Sequence, residues 1–434
     1  MRSQQNILIL TSSTGGGHIS LAEALRDLLE RDLSPEPGEN PAPAAISIAA
    51  PQPGVLPLSY RLVSRYALRL WAAEFHFFDT PRRALLAHRI ITPLVRRRLR
   101  AMLDTLKPDL ILTTHPLLSY EVKRVLEQRA SNVPLVLLFS DAQAVHATWL
   151  SERQAIAAFA PTRETYRQAL AAGFAPEHLH LVGWPVRAQF FQAARASRQT
   201  RSEQLARLNL DPNRVTIFLQ GGGEGTARVH RALDTILSSG LTGQWQIILA
   251  IGTNAALRER YTHLQNVAVL PYTRDIAPFM AAADLIMGKA GPNMLMEAVT
   301  LGKPFLATTY IPGQEQTNLA FIQRHNLGWV ALQPEEQIAL LTKLAGAAPD
   351  LLKEKLPAID AYRRWNAEAT QRIAPLIGAY LRAGAASSPA SRPAHKRSGA
   401  TRPLLRPDAA SRPSRPFSVT LPKYRMLNQL PHSG

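Results

Sequence analysis

The 434-residue sequence contains no cysteine, which excludes a disulfide framework, a thiolate nucleophile and a zinc site built from cysteine. Such a chain is typical of a reducing compartment, so the cytosol is the expected location. No run of about 18 uncharged apolar residues occurs, and no transmembrane helix is predicted. The N-terminus leads almost directly into the apolar residues 7–10 without the features of a secretory signal, so we expect none.

Two kinds of phosphate-binding motif are also missing. No GxxxxGK[ST] sequence occurs, which disfavours ATP binding by a loop of that kind. No Asp-x-Asp pair is present, so a metal bridging a diphosphate lacks obvious ligands, and we expect neither metal nor other cofactor. A dinucleotide fingerprint would need glycine at Ser20 and an acidic residue after residues 44–49, and their absence leaves a dehydrogenase as a weak alternative.

Acidic residues are few: 32 Asp and Glu stand against 50 Lys and Arg, for a net charge of +18. An excess of this size indicates an anionic partner, either a membrane surface or a nucleic acid. The Ser-, Ala-, Arg- and Pro-rich residues 384–434 cannot bury enough apolar surface to offset ordering entropy, so they are predicted to form a disordered basic tail. Residues 58–107 hold a second basic excess, among apolar and aromatic side chains.

Short apolar runs alternate with helical patterns through most of the chain, which is typical of parallel α/β sheets. The pattern restarts after about residue 205. The sequence therefore predicts two doubly wound, Rossmann-like domains, 1–205 and 206–383, with ligands bound in a cleft beyond the carboxyl ends of the strands. The predicted strands are 6–11, 44–49, 109–113, 134–139, 155–159 and 179–182, then 215–219, 247–251, 267–270, 284–287, 305–308 and 328–332.

A glycine-rich turn follows the first strand of each predicted domain, at residues 14–17 and 221–225. Glycine lets backbone N–H groups face an anion at the positive end of a helix, although a tight crossover turn explains the glycines alone better. His18 follows the first turn and could accept a hydroxyl proton near neutral pH. A helix-start histidine bonded to backbone is an equal alternative.

Residues 284–318 carry the densest set of candidate ligand groups. A turn over residues 288–293 and a helix near Pro292 would direct free N–H groups at a diphosphate, with Lys289 and the helix dipole stabilising its departure. Glu297 could accept two hydrogen bonds from a ribose diol, and the amide and carboxylate groups of residues 314–318 suit sugar hydroxyls. A capped helix with an exposed glutamate, followed by a solvated loop, is the alternative.

Aromatic and arginine side chains interleave over residues 58–100. Arg65 and Arg69 share one helical face, and Trp71 follows them. Basic residues beside buried aromatics are typical of an interfacial helix on an anionic membrane, and a core helix with a solvated arginine face is the alternative. No RNP-like strand, helix-turn-helix or zinc ligand set occurs, so no specific nucleic-acid partner is expected.

In their order and spacing these motifs resemble the monogalactosyldiacylglycerol synthase and processive diacylglycerol glucosyltransferase family, which is related to the lipid II N-acetylglucosaminyltransferases of glycosyltransferase family 28. The resemblance covers about residues 6–335. It rests on Thr14–His18, Thr114-His115-Pro116, Asp141 with His146 and Trp149, Pro161-Thr162 with Glu164, Gly183–Arg187, Gly221–Gly225, Lys289–Pro292, Glu297-Ala298, and Gly313–Glu315 with Asn318.

The resemblance implies a GT-B fold, an acceptor-binding first domain, a UDP-sugar-binding second domain and metal-independent inverting transfer to a lipid acceptor at a membrane. It implies that His18 is the catalytic base, with Asp141 as the fallback. It further implies a ribose anchor at Glu297, a uracil site by the backbone of Tyr272 and Thr273, sugar contacts at Gln314 and Glu315, other donor contacts at Gly222, Gly223, Glu224, Lys289, Gly291, Pro292 and Asn293, and acceptor or membrane contacts at Gly16, Gly17, Arg65, Arg69, Trp71, His115, His146 and Trp149.

Three positions depart from the family pattern: Ser13, where plant galactolipid synthases often have Asp; Ala147, in place of proline; and Asn293, in place of a small residue. The sugar and the exact acceptor therefore stay open, with diacylglycerol the expected lipid. Two alternatives from other classes also remain. One is a UDP-sugar-processing enzyme without a lipid substrate, such as an epimerase, and the other is a non-catalytic binder of anionic membranes or nucleic acid.

Overall fold

The computed structural model describes residues 4–13, 16–33, 44–54, 62–63, 67–150, 153, 155–221, 229–240 and 243–386. These residues form two six-stranded sheets, and every strand pair within them is parallel. The predicted α/β class with two doubly wound sheets is therefore confirmed. The predictions for Arg65 and for Gly222, Gly223 and Glu224 lie outside the described residues.

The first sheet has the strand order β2-β1-β3-β4-β5-β6. Alternate side chains of β1 enter different cores: Ile7 and Ile9 pack on one face of the sheet, and Leu8 and Leu10 pack on the other. This two-residue period explains why the strand is apolar throughout. The strands are β1 (Asn6–Leu10), β2 (Ala45–Ala49), β3 (Leu110–Thr113), β4 (Leu135–Leu138), β5 (Ala157–Ala160) and β6 (Leu179–Leu181).

The second sheet has the order β12-β11-β10-β7-β8-β9 and is also buried on both faces. The turn predicted over residues 288–293 is shorter than expected, because β10 continues through Lys289 and a helix begins at Pro292. Gly288 permits this, since a Cβ there would collide with the carbonyl oxygen of Gln220 in the adjacent strand. The strands are β7 (Thr216–Gln220), β8 (Gln246–Ala250), β9 (Val267–Leu270), β10 (Leu285–Lys289), β11 (Phe305–Thr309) and β12 (Gly328–Val330).

Helices cover both sheets, and the last one returns to the first domain, where it packs against the first helix and β3. It continues to Ala386, so residues 384–386, predicted to start the tail, belong to this helix; residues 387–434 lie outside the described residues. The helices are α1 (Gly16–Asp32), α2 (Leu68–Phe78), α3 (Pro81–Leu106), α4 (Pro116–Gln128), α5 (Arg163–Ala171), α6 (Ala188–Ala193), α7 (Arg198–Arg207), α8 (Val229–Ser238), α9 (Ala255–Tyr261), α10 (Ala277–Ala282), α11 (Pro292–Thr300), α12 (Gln316–Arg324), α13 (Pro334–Thr370) and α14 (Ile373–Ala386), with a 3-10 turn at Pro176–His178.

Candidate active site

Two helix N-termini meet where the carboxyl ends of the two sheets face each other. Helix α1 follows the first strand, and α11 follows β10 with Pro292 in its first turn. The side chain of Asn293 joins them: its Nδ2 donates to the carbonyl oxygen of Gly17 at 2.8 Å, and its Oδ1 accepts from Nε1 of Trp184 at 3.0 Å. Gly16 and Gly17, predicted to lie in a turn, form the first turn of α1, and the contact at Gly17 brings this acceptor-side element against the predicted donor-side helix.

His18 is oriented by one hydrogen bond. Its Nδ1 lies 2.9 Å from the carbonyl oxygen of Thr114. A carbonyl can only accept, so Nδ1 carries the hydrogen and Nε2 keeps the lone pair. Burial lowers the His18 pKa to about 4, although the hydrogen bond to Thr114 opposes this. At neutral pH the side chain is thus the free base, but it is a weaker base than an ordinary histidine.

Two further imidazoles lie behind His18. The buried ring of His115 meets the His18 ring edge-on at a centroid distance of 4.7 Å, and its Nδ1 has no hydrogen-bond partner among the described residues. His88 of α3 is fully buried and stacks on Tyr120, and Nε2 donates to the carbonyl oxygen of Thr148 at 3.1 Å. Sequence reasoning missed His88, because nothing in the basic-aromatic stretch separates an inward-facing histidine from its exposed neighbours.

Asp141 lies in the loop after β4. Its Oδ2 atom is buried and has no hydrogen-bond partner within the described part of the chain. Burial raises the pKa of this carboxyl to about 7; the charge of Asp79 adds to the rise, and the His146 backbone and the Trp149 indole oppose it. A carboxyl with such a pKa is half ionised near neutral pH, which suits proton transfer.

His146 and Trp149 support this loop from inside the protein. Nε2 of His146 donates to the carbonyl oxygen of Phe75 at 3.1 Å, while Nδ1 accepts from the Thr148 hydroxyl at 2.7 Å. Trp149 is fully buried and packs edge-on against Phe139 at 5.5 Å. The sequence predicts both as acceptor or membrane contacts. The buried Trp149 cannot contact a bilayer, and it instead lies beside Asp141.

Glu297 lies on α11 and is buried, so the alternative of an exposed glutamate is wrong. Its Oε1 accepts from Arg187 of the first domain at 2.8 Å, and Arg187 also lies 3.9 Å from Glu23. Burial raises the Glu297 pKa, and the Arg187 guanidinium opposes the rise. The sequence assigns no role to Arg187, because its partner is 110 residues away.

Lys289 and Glu315 were predicted to contact the diphosphate and the sugar, respectively, and here they form an ion pair with each other. The second carboxylate oxygen of Glu315 accepts from the backbone N–H of Ile311 at 2.9 Å. The pair lies over Gly291, where a Cβ would come within 3.0 Å of the lysine Nζ. Next to it, the buried Oε1 of Gln314 has no partner among the residues described. Within the described part of this loop, Gln314 Oε1 is thus a buried acceptor that a ligand could satisfy.

The residues predicted to lie near uracil, Tyr272 and Thr273, are less enclosed than the other donor-side residues. Tyr272 is 56% exposed, and the Thr273 hydroxyl accepts from the backbone N–H of Asp275 at 3.1 Å. Both follow β9 at the carboxyl edge of the second sheet. Among the described residues, no hydrogen bond joins either side chain to another side chain, so both could respond to a ligand. Across the described ranges, no group of three or more His, Asp or Glu side chains could hold a metal ion, and metal independence stays a prediction.

Helices α2 and α3 expose apolar and basic side chains together. Arg69 is exposed and Trp71 is partly buried on α2. No helix within the described residues is long and apolar enough to span a bilayer. The exposed large apolar side chains of these two helices are Leu70, Phe77, Leu85, Leu86, Ile90 and Leu94, and the exposed arginines among them include Arg69, Arg82, Arg83 and Arg89.

Two family models match successive parts of the chain. Residues 46–186 match the family described as "Monogalactosyldiacylglycerol (MGDG) synthase", and residues 216–372 match "Glycosyltransferase family 28 C-terminal domain". A protein of Oryza sativa subsp. indica named "Probable monogalactosyldiacylglycerol synthase 2, chloroplastic" is 30% identical over 76% of this chain and 72% of its own length.

Solved structures share the fold. MurG of Acinetobacter baumannii aligns with a TM-score of 0.53 and 16% identity, over 86% of this chain and 99% of MurG. UDP-GlcNAc 2-epimerase of Neisseria meningitidis aligns with a TM-score of 0.52 and 12% identity, over 85% of this chain and all of the other. The GT-B fold is confirmed, and because it serves both a transferase and an epimerase, only the sequence similarity separates the two classes. The chain belongs to the monogalactosyldiacylglycerol synthase family and is a glycosyltransferase.

Proposed function

We propose that the protein transfers a hexose from a UDP-sugar to the free hydroxyl of diacylglycerol, with inversion, at the surface of an anionic membrane. The observation that carries the proposal is the meeting of α1 and α11: His18, with its lone pair on Nε2, lies on one, and Glu297 lies on the other. The names of the relatives add support for the lipid and the sugar.

The acceptor side would remove one proton. The hydroxyl oxygen attacks the anomeric carbon, its hydrogen passes to a base, and the bond from that carbon to the diphosphate oxygen breaks to release UDP. His18 offers a directed lone pair, and Asp141 offers the higher pKa of the two. We assign the proton to His18 and keep Asp141 as the second base, with its charge available to stabilise the imidazolium.

The donor side would exchange two existing ion pairs for ligand contacts. The first-turn N–H groups of α11 face the expected diphosphate position, and Lys289 would move from Glu315 to its oxygens. Glu297 would accept the ribose hydroxyls in place of Arg187, which is then free to pair with the diphosphate. Glu315, released from Lys289, and the unpartnered Gln314 would contact the hexose.

The membrane side would be the exposed face of α2 and α3. Four apolar side chains of α3 are 39–54% exposed and can enter the headgroup boundary: Leu85, Leu86, Ile90 and Leu94. Arginines of the same helices each add on the order of 1 kcal/mol on an anionic leaflet. A peripheral position on the membrane would bring the acceptor to the cleft without a spanning helix.

One mass-spectrometric assay tests the proposal. UDP-galactose, UDP-glucose and UDP-N-acetylglucosamine are each offered with anionic vesicles that contain or lack diacylglycerol. We expect glycosyl-diacylglycerol and UDP in equal amounts, only with the lipid present. Glu297→Gln should abolish most turnover, whereas Glu335→Gln, an exposed carboxylate on α13, serves as the matched control.

Two other outcomes would overturn the proposal. Conversion of a UDP-sugar at the same rate without lipid would indicate an epimerase-like enzyme. If no UDP-sugar is consumed while binding to vesicles or to nucleic acid follows salt concentration alone, the protein is a non-catalytic electrostatic binder.

A further inference from the structure

Helix α2 is attached to the loop that carries Asp141. The carbonyl oxygen of Phe75 accepts from Nε2 of His146 at 3.1 Å, and the two rings lie 4.3 Å apart. At the end of the helix, Oδ1 of Asp79 accepts from the backbone N–H of Ala147 at 2.8 Å. Two hydrogen bonds and a ring contact thus join α2 to the acceptor side of the cleft.

The same helix also touches the donor side. The ring of Phe75 packs directly over Gly313 of the second domain, so closely that a Cβ on Gly313 would lie 2.8 Å from Cδ1. Gly313 has a φ of +81°, which favours glycine, and it immediately precedes Gln314 and Glu315. Phe75 therefore packs against the backbone of the loop that is proposed to contact the sugar.

The opposite face of α2 is open to solvent. Leu70 is 62% exposed and Phe77 is 47% exposed, and seven residues of helix place them on the same side. Trp71 and Phe75, four residues apart, share the inner side. No residue of this helix is fully buried, so α2 lies at the surface of the protein, where contact with a membrane can act on it.

We propose that Phe75 is a positioning residue that transmits membrane contact to the donor-sugar loop. This rests on the proposed function. Insertion of Leu70 and Phe77 into the bilayer surface fixes α2, and Phe75 then presses on Gly313 and holds Gln314 and Glu315 against the hexose. The ion pair of Glu315 with Lys289, which lies over Gly291, links this loop to the nucleotide side, and the bound diphosphate is proposed to break that pair. The effect of Phe75 should therefore fall mainly on the sugar.

The proposal predicts that membrane contact changes the binding of the hexose and leaves the binding of the nucleotide nearly unchanged. With a short-chain, water-soluble diacylglycerol as acceptor, anionic vesicles without diacylglycerol should lower the wild-type KM for UDP-hexose about tenfold. Phe75→Ala should lose this response and show the high KM under both conditions. Its inhibition constant for UDP should change by less than about twofold, because UDP has no hexose to hold.

Further variants distinguish a folding defect from loss of the contact between Phe75 and Gly313. Phe75→Leu keeps an apolar contact with Gly313 and should recover part of the vesicle response. Gly313→Ala forces a Cβ into the Phe75 ring, and its effect on KM should not add to that of Phe75→Ala in the double variant. Leu170→Ala removes a 41% exposed leucine from α5 and serves as the apolar control.

Two results would overturn the proposal: a vesicle response of Phe75→Ala equal to that of the wild type, or a parallel rise in the inhibition constant for UDP. If the wild type makes no glycolipid, the proposed function is refuted instead. In that case, calorimetric affinities of UDP-hexose and UDP for the wild type and Phe75→Ala, with and without vesicles, still test the role of Phe75.

Discussion

Asp141→Asn should stabilise the protein above pH 7. Burial raises the pKa of this carboxyl from 3.8 to about 7, so the folded protein holds the proton more tightly than the unfolded chain. Stability is therefore lost as the pH rises from about 4 to about 7, and the loss is complete above pH 7. At 1.36 kcal/mol for each unit of pKa the upper bound is about 4 kcal/mol, and because Asp141 is only partly shielded from solvent we expect about 2–4 kcal/mol.

Urea unfolding of the wild type and the variant between pH 4 and pH 8 measures this difference. The gap in unfolding free energy should widen up to about pH 7 and then stay constant. Asp350→Asn, which changes an 85% exposed side chain, provides the control and should give no comparable widening. A gap that is the same at every pH would refute the reasoning.

The same carboxyl should shape the rate profile. If ionised Asp141 assists His18, kcat/KM falls as the pH drops below about 7, because protonation removes the charge. In Asp141→Asn that limb should vanish and leave only a fall near pH 4, where His18 becomes protonated. A limb near pH 7 that persists in the variant would assign it to another group.

Three other substitutions test the contacts around the cleft. His18→Ala should lower kcat by at least about 10²-fold in the glycolipid assay, and a wild-type rate would exclude it as the base. Asn366→Ala removes both side-chain hydrogen bonds to the buried backbone of Trp184, at 2.6 and 2.9 Å, and should cost about 2–5 kcal/mol in urea unfolding; a loss below about 0.5 kcal/mol would contradict this. Arg187→Met leaves the Glu297 carboxylate buried without its partner and should cost about 3–5 kcal/mol at pH 8, most of which the double variant with Glu297→Gln should recover; no recovery would show that the loss is one of packing.

Local pattern was enough to place the strands and the main turns. The parallel strands are apolar on both faces, so their apolar runs mark their positions to within one or two residues along most of the chain. Pro292 marks the start of α11 because its ring suits a first helical turn and is disfavoured further along a helix. These features depend on neighbours in the chain, which a sequence displays directly.

The sequence did not show which charged groups pair with each other. The prediction that Lys289 and Glu315 each reach the ligand treats them as independent, yet folding puts them in contact with each other. The lowered pKa of His18 has a related cause, since the burial that lowers it comes from packing between distant segments. Neither effect has a local signature.

The family, the two-sheet architecture and the chemical types available at the cleft all followed from residue order, because periodicity and motif spacing are properties of short segments. Tertiary packing alone decided which group pairs with which. Arg187 meets Glu297 and Phe75 meets Gly313 only after both domains have folded and docked. Distances and burial arise across hundreds of residues of sequence separation, and they set the protonation states and the contacts on which the reaction depends.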